Sequence, residues 1–308
     1  MSNQLSTTSN QIVISNSDLY EQAKQVFANL DTSDNTRKEY LTRIKLFLDF
    51  IKANGFSNNT FLEYKRYLKE RTDYGISTKN KYLTAGRVFI KELHRQGVLP
   101  IDITVNVKGF TQDKKHKRSG LADKDMQILI TALNKLEPTP NNLRLKAIIA
   151  LLALQGLRQV ELTRLDVTDI DLVRSKILIQ GKGRDDKEPV YLHPMTTKAL
   201  KAYLTATKKA DGALFTSTSN NARGQRLNTR SIRQLVKDAL NKLDIDNSTH
   251  GFRHYFTTTL IKTYKGDLLA VAKYTRHRNV EMLQVYNDDI TLEADLPRYY
   301  GAFSGVKL

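Results

Sequence analysis

The sequence predicts a mainly α-helical protein with two domains and one small antiparallel β-sheet. Apolar residues recur at helical spacing along the N-terminal third of the chain and again through most of its second half. Two short β-prone runs flank a glycine-containing turn between Ser175 and Leu192, a pattern typical of a β-hairpin. A length of 308 residues, of which 40% are hydrophobic, favours two domains with packed cores over a disordered chain.

The charge of the chain predicts a polyanionic partner. Lys and Arg number 49 against 32 Asp and Glu, which gives a formal charge of +17 and a pI near 9.8. Such an excess favours nucleic acid through release of counterions, although a membrane surface or a merely basic protein would share it. No run of eighteen apolar residues and no N-terminal signal segment is present, so nucleic acid is favoured over a membrane and a cytoplasmic location is expected.

The N-terminal part is predicted to be an arm followed by helices. Residues 1–16 are rich in Ser, Thr, Asn and Gln and are expected to be flexible. Residues 17–107 form a helical domain, in which Ser17 caps the first helix and Gly55 closes the second. A third helix carries Phe61, Leu62, Tyr64 and Leu68, and a fourth runs from Ser77 to Arg95 and ends before Gly97 and Pro100.

Two basic segments are candidates for DNA contact. The predicted exposed face of the fourth helix carries Lys79, Lys81, Arg87 and Lys91, and we take Lys79 and Arg87 as candidate DNA-binding residues. Residues 108–120 are predicted to be a basic linker, in which Lys114 and Lys115 are further candidates. A solvated helix face and a connector that contacts nothing remain open alternatives.

The second domain is predicted to span residues 121–290. Helices are expected around Asp123 to Leu136, Leu143 to Gln155, Thr196 to Thr207 and Thr229 to Leu243, with the hairpin between the second and the third. Arg230 and Arg233 open the last of these helices, where they could contact phosphates or base edges.

An arginine and a lysine stand at conspicuous turns. Arg158 stands in Gly156-Leu157-Arg158-Gln159-Val160-Glu161, where one apolar helix is predicted to end near Gly156 and a second to begin around Arg158. Arg158 could be a functional residue, or it could only cap a helix or form a salt bridge with Glu161. Lys182 lies between two glycines at the tip of the hairpin, where its ammonium could enter a neighbouring site. The hairpin lacks the spacing of a phosphate-binding P-loop.

A third cluster lies between His250 and Tyr286. His250 and Arg253 stand in His-x-x-Arg-His, His277 follows Arg276, and Tyr286 comes nine positions after His277. Imidazoles, a guanidinium and a phenol so spaced could surround one phosphodiester. The guanidinium would bind two oxygens, the imidazoles would move or donate protons, and the phenol would attack phosphorus.

These motifs, taken in order, resemble the tyrosine recombinase (phage integrase) family over about residues 120 to 290. The family pattern is matched by Arg158, Lys182, His250, Arg253, His277 and Tyr286. The resemblance implies an N-terminal helical core-binding (SAM-like) domain and a catalytic domain that together form a C-shaped clamp on DNA. It implies site-specific recombination through a 3′-phosphotyrosyl intermediate.

The resemblance also implies roles for the matched residues. Arg158 and Arg253 would clamp the phosphate oxygens, and Tyr286 would attack. His250 would accept or relay the tyrosine proton. Lys182 would protonate the leaving 5′ oxygen, and His277 would hydrogen-bond the phosphate.

The chain departs from the family at two places. It has Thr275-Arg276 where the family usually has Leu-Gly, and Gly251-Phe252 where the family usually has Asp-Leu. These positions shape the backbone around the site, so the departures concern its fine geometry and remove no reacting group.

Residues 291–308 are predicted to form a tail, in which Asp295 and Pro297 suit the start of a helix. The tail carries an apolar stripe of Leu292, Leu296, Tyr299, Tyr300 and Phe303. The stripe could fold back on its own domain or, as in the resembled family, pack on a neighbouring protomer. The family further implies a homo-tetramer on two DNA sites, each made of two inverted half-sites.

We expect no cofactor and no metal. The chain has no cysteine, and His250 with His254 lacks the acidic partner of a helical zinc site. Two alternatives to recombination remain: strand relaxation like that of a type IB topoisomerase, and DNA binding without catalysis by a regulator that retains the fold.

Overall fold

The protein consists of two compact units, Met1–Asp113 and Lys114–Leu308. In the described ranges, no helix combines the length and apolarity needed to cross a bilayer. Several features singled out in the sequence lie outside the described residues: the predicted flexible arm, the predicted cap Ser17, and the lysines Lys114, Lys115 and Lys182. The computed structural model describes residues 19–112, 120–181, 183–277, 279–302 and 304, without the side chains of residues 289 and 293.

The N-terminal unit is a helical bundle around an aromatic core. Ser33 begins the second helix by accepting a hydrogen bond from the Thr36 amide, and Gly55 ends it at a φ of 78°. Phe47 packs edge-on against Phe61 and lies 4.7 Å from Tyr64 between ring centroids. The helices of the unit are α1 (Leu19–Ala28), α2 (Asp34–Asn54), α3 (Thr60–Glu70) and α4 (Ile76–Arg95).

The predicted exposure of Lys79 on the fourth helix is wrong. Its side chain is buried, because the ammonium donates a hydrogen bond to the Lys69 carbonyl at the end of α3 and so links α4 to α3. Arg87 is half-buried and donates to the Val107 carbonyl, with its guanidinium 5.5 Å from the Phe61 ring. Lys81 and Lys91 are exposed, as predicted.

The C-terminal unit buries a large aliphatic core around the helix α6 (Pro140–Leu154). Thr139 caps α6 and Pro140 starts it, so this helix begins three residues before the predicted Leu143. The predicted apolar face from Leu143 to Leu152 is buried. The helices are α5 (Asp123–Lys135), α6 (Pro140–Leu154), α7 (Gln159–Thr163), α8 (Pro194–Thr207), α9 (Thr229–Asn241), α10 (Thr249–Thr263), α11 (Leu268–Thr275) and α12 (Glu281–Ala302).

The predicted hairpin is confirmed as part of a small antiparallel sheet. Among the described residues, the sheet has three strands in the order β1 (Ile170–Asp171), β2 (Lys176–Gln180) and β3 (Lys187–Tyr191). Lys176 lies opposite Tyr191, and Gln180 lies opposite Lys187. Pro189 is tolerated because β3 is an edge strand, which does not need every amide as a donor.

The predicted helix start at Asp295 and Pro297 is also wrong. One helix, α12, runs through both residues and also carries Tyr286. Proline within a helix removes one amide donor and brings its ring against the carbonyl four residues earlier. The helix nevertheless continues through Pro297, whose side chain is exposed. Leu292, Tyr299 and Tyr300 are exposed, so these members of the predicted stripe do not fold back on their own unit.

Candidate active site

Three arginine side chains meet at the turn between α6 and α7. Arg158 is the residue that precedes α7, Arg253 lies on α10, and Arg276 ends α11. Arg253 is 4% exposed and the Arg276 side chain 7%, whereas 35% of the Arg158 side chain remains accessible. The site therefore contains two deeply buried cations beside one that is open to solvent.

The Gly156 carbonyl is the shared anchor of this cluster. It accepts a hydrogen bond from Arg253 Nη1 at 2.6 Å and a longer one from Arg276 Nη2 at 3.4 Å. The residue has a φ of +57°, and a Cβ there would lie 2.3 Å from a ring carbon of Phe256. Glycine is required at this turn because both the backbone conformation and the close approach of Phe256 exclude a side chain.

Glu161 is a fully buried carboxylate that serves two arginines. Its Oε1 accepts from Arg158 Nη1 at 2.9 Å, and its Oε2 accepts from the Arg158 amide at 2.8 Å and from Arg276 Nη2 at 3.2 Å. One negative charge thus faces two positive ones. Arg158 does pair with Glu161, which the sequence analysis offered as a structural role for this arginine. A surplus of positive charge remains for an anionic ligand.

Arg253 is held by backbone oxygens. Besides Gly156, it donates to the Thr275 carbonyl through Nη2 at 2.6 Å. Burial, followed by the nearby Arg158 and Arg276 charges, lowers the pKa of Arg253 to about 9. Arg253 is still a cation at neutral pH, in a place where an added anion would relieve repulsion between guanidinium groups.

His277 is neutral and its tautomer can be assigned from its neighbours. The Thr275 hydroxyl donates to the Val271 carbonyl, so it accepts from His277 Nδ1 at 2.8 Å. His277 Nε2 then carries the lone pair and faces Arg253 Nη2 at 3.4 Å. Burial, and then the charges of Arg253, Arg158 and Arg276, lower the pKa of His277 to about 4.

Tyr286 is buried against its own unit, close to the arginines. Its ring packs with Ile261, Val271 and Leu283, and meets the His254 ring edge-on with centroids 4.8 Å apart. Burial raises the pKa of Tyr286, while the positive charge of Arg253 acts to lower it. The phenol therefore lies within electrostatic reach of the guanidinium that would receive a phosphate.

His250 and the hairpin approach the same turn from other directions. His250 is exposed in the first turn of α10, one turn before Arg253, and the adjacent Thr249 hydroxyl bonds the Gln159 side chain at the start of α7. Lys182 lies outside the described residues, but the Gly181 carbonyl before it accepts from Arg164 at 3.0 Å. Arg164 thereby anchors the backbone directly after β2.

The structure thus brings Arg158, Arg253, His277 and Tyr286 into one region of the C-terminal unit. The sequence did not identify Arg276 or Thr275 as part of the site, and the only signal was their departure from the family pattern. Among the described residues, no group of three or more His, Asp or Glu could hold a metal ion. Arg230 and Arg233 are exposed at the start of α9, and their contact with DNA stays a prediction.

Comparison with known proteins identifies relatives along most of the chain. The model of the phage integrase family matches residues 120–291. The tyrosine recombinase XerC of Roseiflexus sp. (strain RS-1) is 28% identical over 264 residues, which cover 82% of each chain. That of Alcanivorax borkumensis (strain ATCC 700651 / DSM 11573 / NCIMB 13689 / SK2) is 31% identical over 216 residues, or 68% of each chain.

The fold has solved counterparts. The XerH site-specific recombinase in a post-cleavage complex with a palindromic difH substrate matches with a TM-score of 0.74 and 20% identity. The match covers 92% of this chain and 84% of that one. A lambda integrase dimer bound to a COC′ core site matches with a TM-score of 0.65 and 14% identity, over 88% of this chain and 76% of that one.

Replacing Gly156 by alanine is expected to lower the free energy of unfolding by about 2 to 4 kcal/mol, because a positive φ and a clash with Phe256 act together. Gly212→Ala is the matched control. Gly212 has a φ of +69° with no atom near its missing Cβ, so we expect a loss of only about 1 kcal/mol. Equal losses in urea titrations of the two variants would contradict the close approach of Phe256.

His277 should give stability a specific pH dependence. Because its folded pKa of about 4 lies below the ordinary 6.5, the unfolded chain binds the proton more tightly. The stability linked to neutral His277 is therefore complete above pH 6.5 and is lost as pH falls towards 4. The unfolding free energy of the wild type minus that of His277→Gln should therefore decrease as the pH falls from 6.5 to 4. A difference that stays constant from pH 8 to 4 would contradict the lowered pKa of His277.

Proposed function

The chain belongs to the phage integrase family, and from that premise we propose that it is a site-specific DNA recombinase that cuts and rejoins strands through a phosphotyrosyl intermediate. Its partner is double-stranded DNA, in keeping with the formal charge of +17. The observation that carries the proposal is the group of three guanidinium ions beside one shared carboxylate, with a buried phenol close by.

The arginines answer the main difficulty of the reaction. A phosphodiester resists attack because its negative charge repels nucleophiles and its alkoxide leaving group is poor. Arg158, the most accessible of the three, and Arg253 bind the non-bridging oxygens and neutralise them. Their positions are fixed before DNA arrives, through Glu161 and the Gly156 carbonyl, so little reorganisation is needed on binding.

Tyr286 is the nucleophile. Its attack forms a 3′-phosphotyrosyl ester and frees a 5′ hydroxyl. Burial favours the neutral phenol, so the proton has to leave during attack, and His250 accepts or relays it. The positive charge of Arg253 supports the same step because it stabilises the developing phenolate.

Lys182 and His277 complete the site. Lys182, which the sequence predicts to lie at the tip of the hairpin, protonates the departing 5′ oxygen, as the family resemblance implies. His277 hydrogen-bonds the phosphate once Nε2 carries a proton. The negative charge of a bound phosphodiester offsets the arginine charges that lower the His277 pKa, so substrate binding itself favours that proton.

The ester intermediate explains how strands are exchanged without an external energy source. Because the phosphotyrosyl bond conserves the energy of the phosphodiester, a 5′ hydroxyl from a second duplex reverses the step and joins new strands. Exchange between two duplexes needs one catalytic unit at each cleavage position. We therefore expect four protomers on two sites, each with inverted half-sites related by a two-fold axis.

The exposed apolar residues of α12 fit such an assembly. Leu292, Tyr299 and Tyr300 are each more than half exposed, at 65%, 57% and 62%. Burying them against a neighbouring protomer removes apolar surface from water and links protomers on DNA. The tail is thus proposed as a contact between protomers.

A covalent trapping experiment tests the function. The target is first selected from random duplexes by binding to the protein, then arranged as an inverted repeat with a nick beside the cleavage position. We expect wild type to form a covalent protein–DNA adduct and Tyr286→Phe to bind the DNA without forming it. Tyr274→Phe, which removes the hydroxyl of a 51% exposed tyrosine in the same unit, is the control and should form the adduct. DNA binding without any adduct in the wild type would support a regulator, and plasmid relaxation without recombinants a topoisomerase.

The role of Lys182 is tested by changing the leaving group. With ordinary DNA, Lys182→Ala should slow adduct formation by about 10²-fold or more, the usual loss for a general acid. With sulfur in place of the 5′ bridging oxygen, the leaving thiolate has a thiol pKa of about 8.5 and needs no proton. The variant should then approach the wild-type rate, whereas Arg158→Lys should remain slow on both substrates. A Lys182→Ala defect that sulfur does not relieve would exclude leaving-group protonation.

A further inference from the structure

Arg276 occupies a backbone position that suits glycine. Its φ of 57° and ψ of 39° are left-handed, and its amide closes α11 by donating to the Ala272 carbonyl at 2.8 Å. The resembled family usually has glycine here. A residue with a Cβ is disfavoured in this conformation, so its side chain has to provide the compensation.

The side chain of Arg276 points into the active site. Its Nη1 donates to the Gln155 carbonyl at 3.1 Å, and its Nη2 contacts Glu161 Oε2 at 3.2 Å. Its Nε has no hydrogen-bond partner among the described residues and lies 3.9 Å from Glu188 Oε1 on β3. Burial lowers the pKa of Arg276, and the first opposing influence is the charge of Glu161. Glu161 is therefore the main electrostatic partner of this buried cation.

The shared carboxylate links Arg276 to Arg158. Glu161 presents Oε1 to the Arg158 guanidinium, while Oε2 is occupied by Arg276 and by the Arg158 amide. In the absence of Arg276, the same carboxylate could swing towards Arg158 and engage it through both oxygens. A bidentate pair of that kind would hold Arg158 away from a phosphate and neutralise much of the charge of Arg158.

We infer that Arg276 is a positioning residue for strand cleavage, which holds Glu161 so that Arg158 stays oriented and free to bind the scissile phosphate. The inference rests on the proposed function but concerns a residue outside the family pattern. It assigns Arg276 no contact with substrate. It also gives a reason for arginine at a position where the backbone favours glycine.

Arg276→Gly is the direct test, and Lys208→Gly is its matched control. Lys208 ends α8 in the same left-handed conformation, with a φ of 50°, and its side chain is exposed. Both variants relieve the same backbone strain, so a difference between them reports the Arg276 side chain. Arg276→Lys retains the charge but cannot contact the Gln155 carbonyl and Glu161 in the same planar geometry.

The readout is the rate of covalent adduct formation at saturating DNA, alongside the dissociation constant for DNA. We expect Arg276→Gly to lower the rate tenfold or more while the dissociation constant changes less than threefold, and Arg276→Lys to recover part of the rate. Lys208→Gly should match wild type. With the 5′ bridging sulfur substrate, the Arg276→Gly defect should persist, because it acts on phosphate neutralisation and not on the leaving group.

A double variant separates positioning from a general effect on folding. If Arg276 acts by holding the Glu161 carboxylate, Glu161→Gln with Arg276→Gly should be no slower than Glu161→Gln alone. Multiplying defects, a wild-type rate in Arg276→Gly, or full recovery on the sulfur substrate would each overturn the inference. Failure of the wild type itself to form an adduct would instead reject the proposed function.

Discussion

The active site depends on an imbalance of charge held in a buried place. Three guanidinium groups gather around the turn that follows α6, and the carboxylate of Glu161 lies between two of them. Burying cations without equal countercharge is costly, and the depressed pKa values of Arg253 and His277 are signs of that cost. Backbone carbonyls, above all that of Gly156, make the arrangement tolerable because they accept from the buried guanidinium groups.

The remaining parts of the C-terminal unit hold this arrangement in place. The aliphatic core fixes α6, whose end sets the Gly156 carbonyl, and α10 enters the same core through Phe252, next to Arg253. Thr275 contributes two groups: its carbonyl accepts from Arg253 and its hydroxyl fixes the tautomer of His277. A short apolar cluster around Tyr286 then joins α10, α11 and α12, so Arg253 and Tyr286 come from helices that pack against each other.

The sequence predicted most of the helices because their apolar faces are strongly periodic, and it predicted the hairpin because β-prone runs flank glycines. It placed Arg158 correctly at the junction of two helices. It could not predict the burial of Lys79, because that depends on a carbonyl of α3 that becomes available only when two helices pack. The same limit applies to Arg276, whose partners Gln155 and Glu161 are more than a hundred residues away in the chain. At Asp295 and Pro297, the local signals for a helix start were misleading, because the helix that carries Tyr286 already runs through both residues.

The continuity of α12 ties the two ends of this helix together mechanically. Tyr286 and Leu296 are ten residues apart in a single helix, which corresponds to roughly 15 Å of nearly incompressible rod. A displacement of the helix near Leu296 therefore moves the Tyr286 phenol as well, by translation or rotation of the whole segment. Any contact that moves the C-terminal end of α12 therefore also moves Tyr286, the proposed nucleophile.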